Sequence, residues 1–246
     1  MERPRLLLVP EFTELEWTIR PQLEEWAEVA AYDGPGVGGE PVSDAELDRL
    51  ASDPAHRRAL TARRGLDEIE RRGWDRCVLV SDSTSNLPAC QLAAERPDAI
   101  AGLALGHACL TLEGGEGDPI NGEIRAALEQ LVEQDRERFV QHALNQLTGG
   151  SYDEELSGRM VERVPLRLLA GGWMQEGGPT VAEMLPRIDC PLLFVEHVGC
   201  LMYTPEGFAE ATAAFPRAQT ASLPDKPSVS DEFVGMLREF CEALPG

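Results

Sequence analysis

The sequence predicts an α/β fold: a mostly parallel sheet of about six strands, flanked by helices on both faces. Three observations predict it. Short apolar runs alternate with longer helical stretches along the chain. The runs are rich in Leu, Val and Ala without a polar alternation, as strands covered on both faces are. The 246 residues, 43 % of them hydrophobic, suit one domain with a substantial core.

The expected strands are Leu6–Val9, Val29–Tyr32, Cys77–Ser81, Ile100–Leu105, Leu192–Glu196 and Gln219–Leu223. Between them fall amphipathic stretches. Glu14–Ala27 carries Leu15, Ile19, Leu23 and Trp26 at helical spacing. Ser43-Asp44-Ala45-Glu46 has the form of a capping box and opens a helical region reaching about Arg72, with Pro54 as an early break. Leu87–Glu95, Pro205–Ala214 and Val229–Leu244 are further helices. The segment from about 114 to 186 contains no convincing strand. Its strongest element is a helix over Glu123–Leu147, and glycine pairs divide the rest. A helical insert between two parallel strands reads as a lid over the C-terminal edge of the sheet, within a single domain spanning 1–246.

Charge narrows the partner classes. There are 43 acidic residues against 22 basic ones, a net of −21. Such a field repels phosphate backbones and anionic lipid, so neither nucleic acid nor a membrane surface is expected. No run of about 18 apolar residues suggests a membrane span. The N-terminal apolar run is too short for a signal peptide, and the expected location is the cytoplasm. Cysteines at 77, 90, 109, 190, 200 and 241 show no C-x-x-C or metal-type spacing. Most read as buried thiols, with Cys200 kept as a pocket candidate. No motif implies a metal or a cofactor.

Chemistry concentrates in Val78-Leu79-Val80-Ser81-Asp82-Ser83-Thr84-Ser85-Asn86-Leu87. An apolar strand runs into small residues around a serine and then into a helix. This is the small-x-nucleophile-x-small layout of a nucleophile elbow. The turn demands small residues two before and two after the nucleophile, here Ser81 and Ser85 where glycine is usual. The plainer reading is a strand-to-helix loop with a capping Ser or Asn.

The neighbours of this stretch resemble the α/β-hydrolase superfamily in its lidded, small-molecule form. Ala93-Ala94-Glu95-Arg96-Pro97 through Gly102-Leu103-Ala104-Leu105 is similar to the family's helix and strand after the elbow. Asp33-Gly34-Pro35-Gly36-Val37-Gly38 is similar to its turn after the fourth strand. Leu8-Val9-Pro10-Glu11-Phe12 falls where the family has a strand followed by His-Gly and an oxyanion-hole residue. Trp17 matches a common aromatic in the next helix. Cys190-Pro191-Leu192-Leu193-Phe194-Val195 resembles the seventh strand, and Phe215-Pro216-Arg217-Ala218 the step into the eighth. The resemblance covers nearly the whole chain in order, starting at the family's third strand.

It implies Ser83 as nucleophile, with the backbone N–H groups of Phe12 and Thr84 as an oxyanion hole. The chain departs from the pattern where the resemblance would place the other catalytic groups. The His-Gly is Pro10-Glu11. After the seventh strand stands Glu196-His197-Val198-Gly199-Cys200, with no Asp. After the eighth stands Leu223-Pro224-Asp225-Lys226-Pro227-Ser228, with no His. A serine needs a base to attack at neutral pH. Of the four histidines, His56 and His142 lie on charged helical stretches and read as surface residues. His107 follows the strand next to the elbow strand and His197 the next strand over, at the edge where sites of this architecture form. His107 is the better candidate base, since neighbouring strands lie about 5 Å apart. Its plain alternative is a satisfied histidine under the lid. Glu11, Asp82, Glu196 and Asp225 are carboxylates near the same edge, and Glu11, Asp82, Trp173 and Cys200 are the candidate pocket residues.

Gly34-Pro35-Gly36-Val37-Gly38-Gly39 satisfies the dinucleotide pattern G-x-G-x-x-G. A true fingerprint runs straight into a helix, whereas Glu40-Pro41-Val42 intervenes here. Two functions remain. One is an enzyme acting on a small carbonyl or ester compound, by hydrolysis or, given the altered triad, by lyase or cyclase chemistry. The other is a fold that has lost its chemistry and serves as a ligand-binding or interaction protein.

Overall fold

Six strands run parallel in one sheet. In chain order they are β1 (Arg5–Leu8), β2 (Glu28–Ala31), β3 (Cys77–Asp82), β4 (Ile100–Gly106), β5 (Leu192–His197) and β6 (Gln219–Leu223), arranged in space as β2-β1-β3-β4-β5-β6. The computed structural model describes residues 3–38, 41–108, 154–165, 167–168, 181–198 and 205–245. Each expected strand appears within one residue at either end. In the central strands β3 and β4 nearly every residue is buried, and successive side chains feed opposite layers, whereas the edge strand β6 is mostly exposed.

Leu7, Leu79, Leu103 and Phe194 face one layer, built by α3 (Pro54–Arg72) and α4 (Asn86–Glu95) through Leu66, Ile69, Cys90 and Leu92. Leu6, Leu8, Val78, Val80, Ala104 and Val195 face the other. There α1 (Arg20–Glu24) supplies Leu23, and α8 (Asp231–Glu242) supplies Phe233, Leu237 and Phe240.

The single helix expected over Glu14–Ala27 is instead two pieces. A 3-10 turn spans Glu14–Glu16, and α1 begins only at Arg20. Pro21 explains the break: it lacks the N–H that an unbroken helix would use there, so it sits in the first turn of a new one. Asp33 Oδ1 accepts from Thr13 Oγ1 at 2.8 Å and from Glu14 N at 3.2 Å, which anchors the turn to the loop after β2. Pro54 likewise divides the long helical region. α2 (Asp44–Ser52) is capped by Ser43, which accepts from Glu46 N, and α3 restarts after Asp53, which accepts from His56 N.

Most of the segment 114–186, including Glu123–Leu147, lies outside the described residues. The parts described are helical: α5 (Glu154–Arg163) and the short α6 (Val181–Met184). Met160, Val164 and Leu168 pack with Phe12, Val37 and Leu50 in a third apolar cluster. Arg163 pairs with Asp33, and Gly38 N donates to Arg163 O at 3.2 Å. Gly36 and Gly38 adopt φ of 81° and 77°, so these glycines bend the chain around this contact. The next helix starts at Asp44, so the glycines do not lead into a helix N-terminus as the dinucleotide pattern requires. After β5 come α7 (Pro205–Ala213), then β6, a 3-10 turn over Pro227–Val229, and α8. No helix among the described residues is long and apolar enough to cross a membrane.

Gly106 closes β4 where two loops converge. A Cβ there would meet Pro227 Cβ at 2.7 Å. Gly106→Ala is therefore expected to cost about 1–3 kcal/mol by overpacking. Urea denaturation checks this, and a loss below about 0.5 kcal/mol would show that the two loops yield freely.

Candidate functional site

The candidate residues from β3, β4 and β5 collect at the sheet's C-terminal edge. β3 ends at Asp82, and a 3-10 turn over Ser83–Ser85 leads directly into α4. Ser83 lies at φ 58°, in the left-handed region, and is half-buried. The two small flanking residues do more than make room. Ser81 Oγ donates to Asn86 Oδ1 at 2.7 Å. Ser85 Oγ donates to Asp82 O at 2.8 Å and accepts from Asp82 N at 2.9 Å. Asn86 Nδ2 donates to Gly106 O at 3.1 Å, which ties the elbow to the end of β4. Hydroxyls thus brace a turn where glycine is usual.

In the β3–β4 register Asp82 faces Gly106, so Ser83 and His107 are the next residues on two adjacent strands. His107 also has a left-handed backbone, φ 44°. His197 ends β5, and its ring lies 5.2 Å from that of His107, edge to face. Both histidines are half-buried. Three candidates from the sequence therefore end consecutive strands. Among the described residues, no hydrogen bond between Ser83 and either imidazole is seen in this arrangement. Contacts of this kind often tighten only around substrate.

Beside Ser83 lies a buried cluster of charge. Lys226, in the loop after β6, is 7 % exposed. Its Nζ stands 3.6 Å from Glu11 Oε2 and 3.6 Å from Asp82 Oδ2. Thr84 Oγ1 donates to Glu11 Oε1 at 2.7 Å, and Ser228 N donates to Asp82 Oδ2 at 3.3 Å. Burial works against the Lys226 ammonium, but Asp82, Glu11 and Glu16 outweigh it and hold its pKa above the usual lysine range. The amine is a fixed cation, unsuited to act as base or nucleophile at neutral pH.

Glu16 is the second buried group that sequence reading overlooked. Its carboxyl accepts from Glu11 N, and from Phe12 N at 3.3 Å. The Phe12 N–H, one of the two expected oxyanion donors, thus bonds an internal carboxyl in this arrangement. Burial and the neighbouring Glu11 push the Glu16 pKa well above its usual range, against the two amides and Lys226. A raised carboxyl pKa gives stability that is full below the unfolded value, 4.5, and declines as pH rises through the folded one. Glu16→Gln cannot ionise. Its stability relative to the natural chain is expected to improve between pH 5 and pH 8, as read by urea denaturation. A difference constant with pH would mean that Glu16 ionises without penalty.

The remaining candidates are placed as follows. Glu196 is buried in β5 and accepts from Ser222 Oγ at 2.6 Å. Asp225 is exposed. His56, expected at the surface, is half-buried, with Nε2 2.8 Å from Glu46 Oε1 across the α2–α3 corner. That corner is folded back by Pro54, which brings the two side chains together. His142, Trp173 and Cys200 lie outside the described residues. Burial pushes the thiols of Cys77, Cys190 and Cys241 up to about 12, 11 and 12, and that of Cys90 up as well, which makes them poor nucleophiles. A cavity of about 20 Å³ lies beside the elbow, between Glu11, Thr84, Arg57 and Thr61. It has room for about one water.

No sequence family and no curated protein matches the chain. Solved structures do. A hydrolase from Oleispira antarctica superposes with a TM-score of 0.71 at 17 % identity, over 99 % of this chain and 92 % of its own. An esterase from Rhodococcus sp. gives 0.71 at 18 % identity, over 99 % and 92 %. An enol-lactonase from Burkholderia xenovorans gives 0.58 at 16 % identity, over 98 % and 92 %. The chain has the α/β-hydrolase fold. At these identities the likeness fixes the architecture, and the chemistry must be argued from the site itself. In this α/β-hydrolase fold Ser83 stands in the sharp turn between β3 and α4. Lys226 stands in the loop where the resemblance would put the histidine.

Proposed function

We propose that the protein is an α/β-hydrolase-like enzyme in which Ser83 attacks the carbonyl of a small ester or related acyl compound, with His107 taking the serine proton and His197 beside it. One observation carries this reading. Ser83 and His107 are the only non-glycine residues with a left-handed backbone among the described residues, and they follow paired positions on adjacent strands. Such conformations cost about 1–3 kcal/mol each and persist where the surroundings over-determine them, commonly at reactive sites. The Thr84 N–H is the donor for the developing oxyanion, and Phe12 N–H joins it when Glu16 yields. The insert at 114–186 acts as the lid, and its described helix α5 packs against Phe12.

Two carboxylates, Glu11 and Asp82, flank a single ammonium, so an anionic substrate is disfavoured. Uncharged or cationic esters are expected to turn over at least about ten times faster than anionic ones of the same size, with the ratio shrinking at high salt. An ester panel at two ionic strengths checks this.

The test of the main reading is labelling with a fluorophosphonate, followed by mapping of the modified peptide. Modification at Ser83 that disappears in Ser83→Ala supports an activated serine. A folded protein that is never modified defeats nucleophilic catalysis. A second reading, a ligand-binding protein without chemistry, is favoured by the Glu16 carboxyl lying on the Phe12 N–H.

A further inference from the structure

Lys226 is the only lysine in the chain, against 21 arginines. It is buried, and it belongs to neither the elbow nor the loop after β1, yet it touches both. Its ammonium lies 3.6 Å from Glu11, which precedes the Phe12 amide, and 3.6 Å from Asp82, which precedes Ser83. The two segments it joins carry the nucleophile and the oxyanion donors, and they come from different strands. A second thread runs between them, the 2.7 Å hydrogen bond from Thr84 Oγ1 to Glu11. Asp82 Oδ1 is buried with no hydrogen-bond partner among the described residues, while the ammonium and the Ser228 N–H meet the other oxygen.

We infer that Lys226 is the positioning residue of the reactive edge, a fixed cation that clamps Glu11 and Asp82 and so sets the distance between the β1 loop amides and the Ser83 hydroxyl. This rests on the Ser83 reading and adds to it the group that aligns its parts. Lysine suits the role better than arginine. A compact ammonium reaches two carboxylates from one point, whereas a planar guanidinium demands a fork-shaped partner. The clamp draws its two ends together across β1 and β3, which are neighbours in the sheet. A misplacement of about 1 Å between reacting groups can cost up to about 100-fold in rate.

The test is the kinetics of fluorophosphonate modification in the wild type, Lys226→Arg, Lys226→Met and Glu11→Gln. The inactivation rate constant, the half-saturating reagent concentration and the fraction finally modified are each measured. Lys226→Met is expected to lower the rate constant by about 10- to 100-fold. The half-saturating concentration should stay within about threefold and the modified fraction unchanged. Lys226→Arg should fall between it and the wild type. A role confined to folding would lower the modified fraction and leave the rate constant alone. If Lys226→Met does not fold, Glu11→Gln, which releases one end of the clamp, is expected to lower the rate constant in the same sense. Unchanged rate constants in the folded variants, with the wild type modified at Ser83, overturn the clamp and leave the serine reading standing. A wild type that is never modified overturns both.

Discussion

Replacing Lys226 with methionine is expected to lower the stability of the chain by about 3–5 kcal/mol. The ammonium is buried beside two carboxylates, Glu11 and Asp82, and Asp82 is itself only 4 % exposed. Removing the cation leaves those charges in a low-dielectric setting without a counterion, the costly half of a broken buried pair. In a domain of this size the loss corresponds to a drop of about 10 °C in Tm. The sign with pH follows from the raised Lys226 pKa. The stability it contributes is fully present below the unfolded value of 10.5 and is lost only as pH climbs beyond that. The gap between Lys226→Met and the wild type should therefore hold across neutral pH and narrow only in strong alkali. Adding Glu11→Gln and Asp82→Asn to Lys226→Met should recover a good part of the loss, because the triple variant buries no lone charge. Urea denaturation measures all three. A loss under about 1 kcal/mol in the single variant would mean that water reaches this cluster and screens it.

The second large effect separates stability from chemistry at one residue. Ser83→Gly is expected to abolish fluorophosphonate modification completely and yet to raise stability by about 1 kcal/mol. The left-handed backbone at φ 58° costs a residue with a Cβ about 1–2 kcal/mol, and glycine does not bear that cost. Part of the gain is offset because glycine loses more freedom on folding. Ser83→Ala keeps the Cβ, so it should lose modification with no such gain. The pair of variants distinguishes strain held for function from an ordinary loop serine. Equal stability of the two would show that the turn is not strained. Retained modification in either would show that another residue is the nucleophile.

How much of this was legible in the sequence differs between fold and site. The strands are local signals, short runs of four to seven residues between turns, apolar in all but the edge strand β6, and each appears where its run lies. Ser83 stood out as a candidate because the strand-to-helix turn that holds it is a local motif too. The positions of His107 and His197 at strand ends were legible, since each follows an apolar run. The break at Pro21 was equally local, and reading periodicity ahead of proline chemistry hid it.

Lys226 and Glu16 were not legible in the same way. Glu16 sits among Glu11, Glu14, Glu24 and Glu25, and in so acidic a chain one more carboxylate carries no mark. Lys226 did carry one, as the chain's single lysine in the loop where the resemblance would put a histidine. Its role, however, depends on two carboxylates more than 140 positions away in sequence.

By itself, then, the sequence determined the parallel sheet and the order of its elements, and it singled out Ser83 as a candidate, because periodicity, proline and glycine placement and small-residue spacing act within a few residues of chain. Only the tertiary structure decided which distant side chains share a charge. Lys226 meets Glu11 and Asp82 because the sheet brings three loops from β1, β3 and β6 to one edge, and Glu16 reaches the Phe12 amide because its helix breaks. Burial, which turns those encounters from solvated charges into strong interactions, is a property of the assembled core and has no signature in any single stretch of residues.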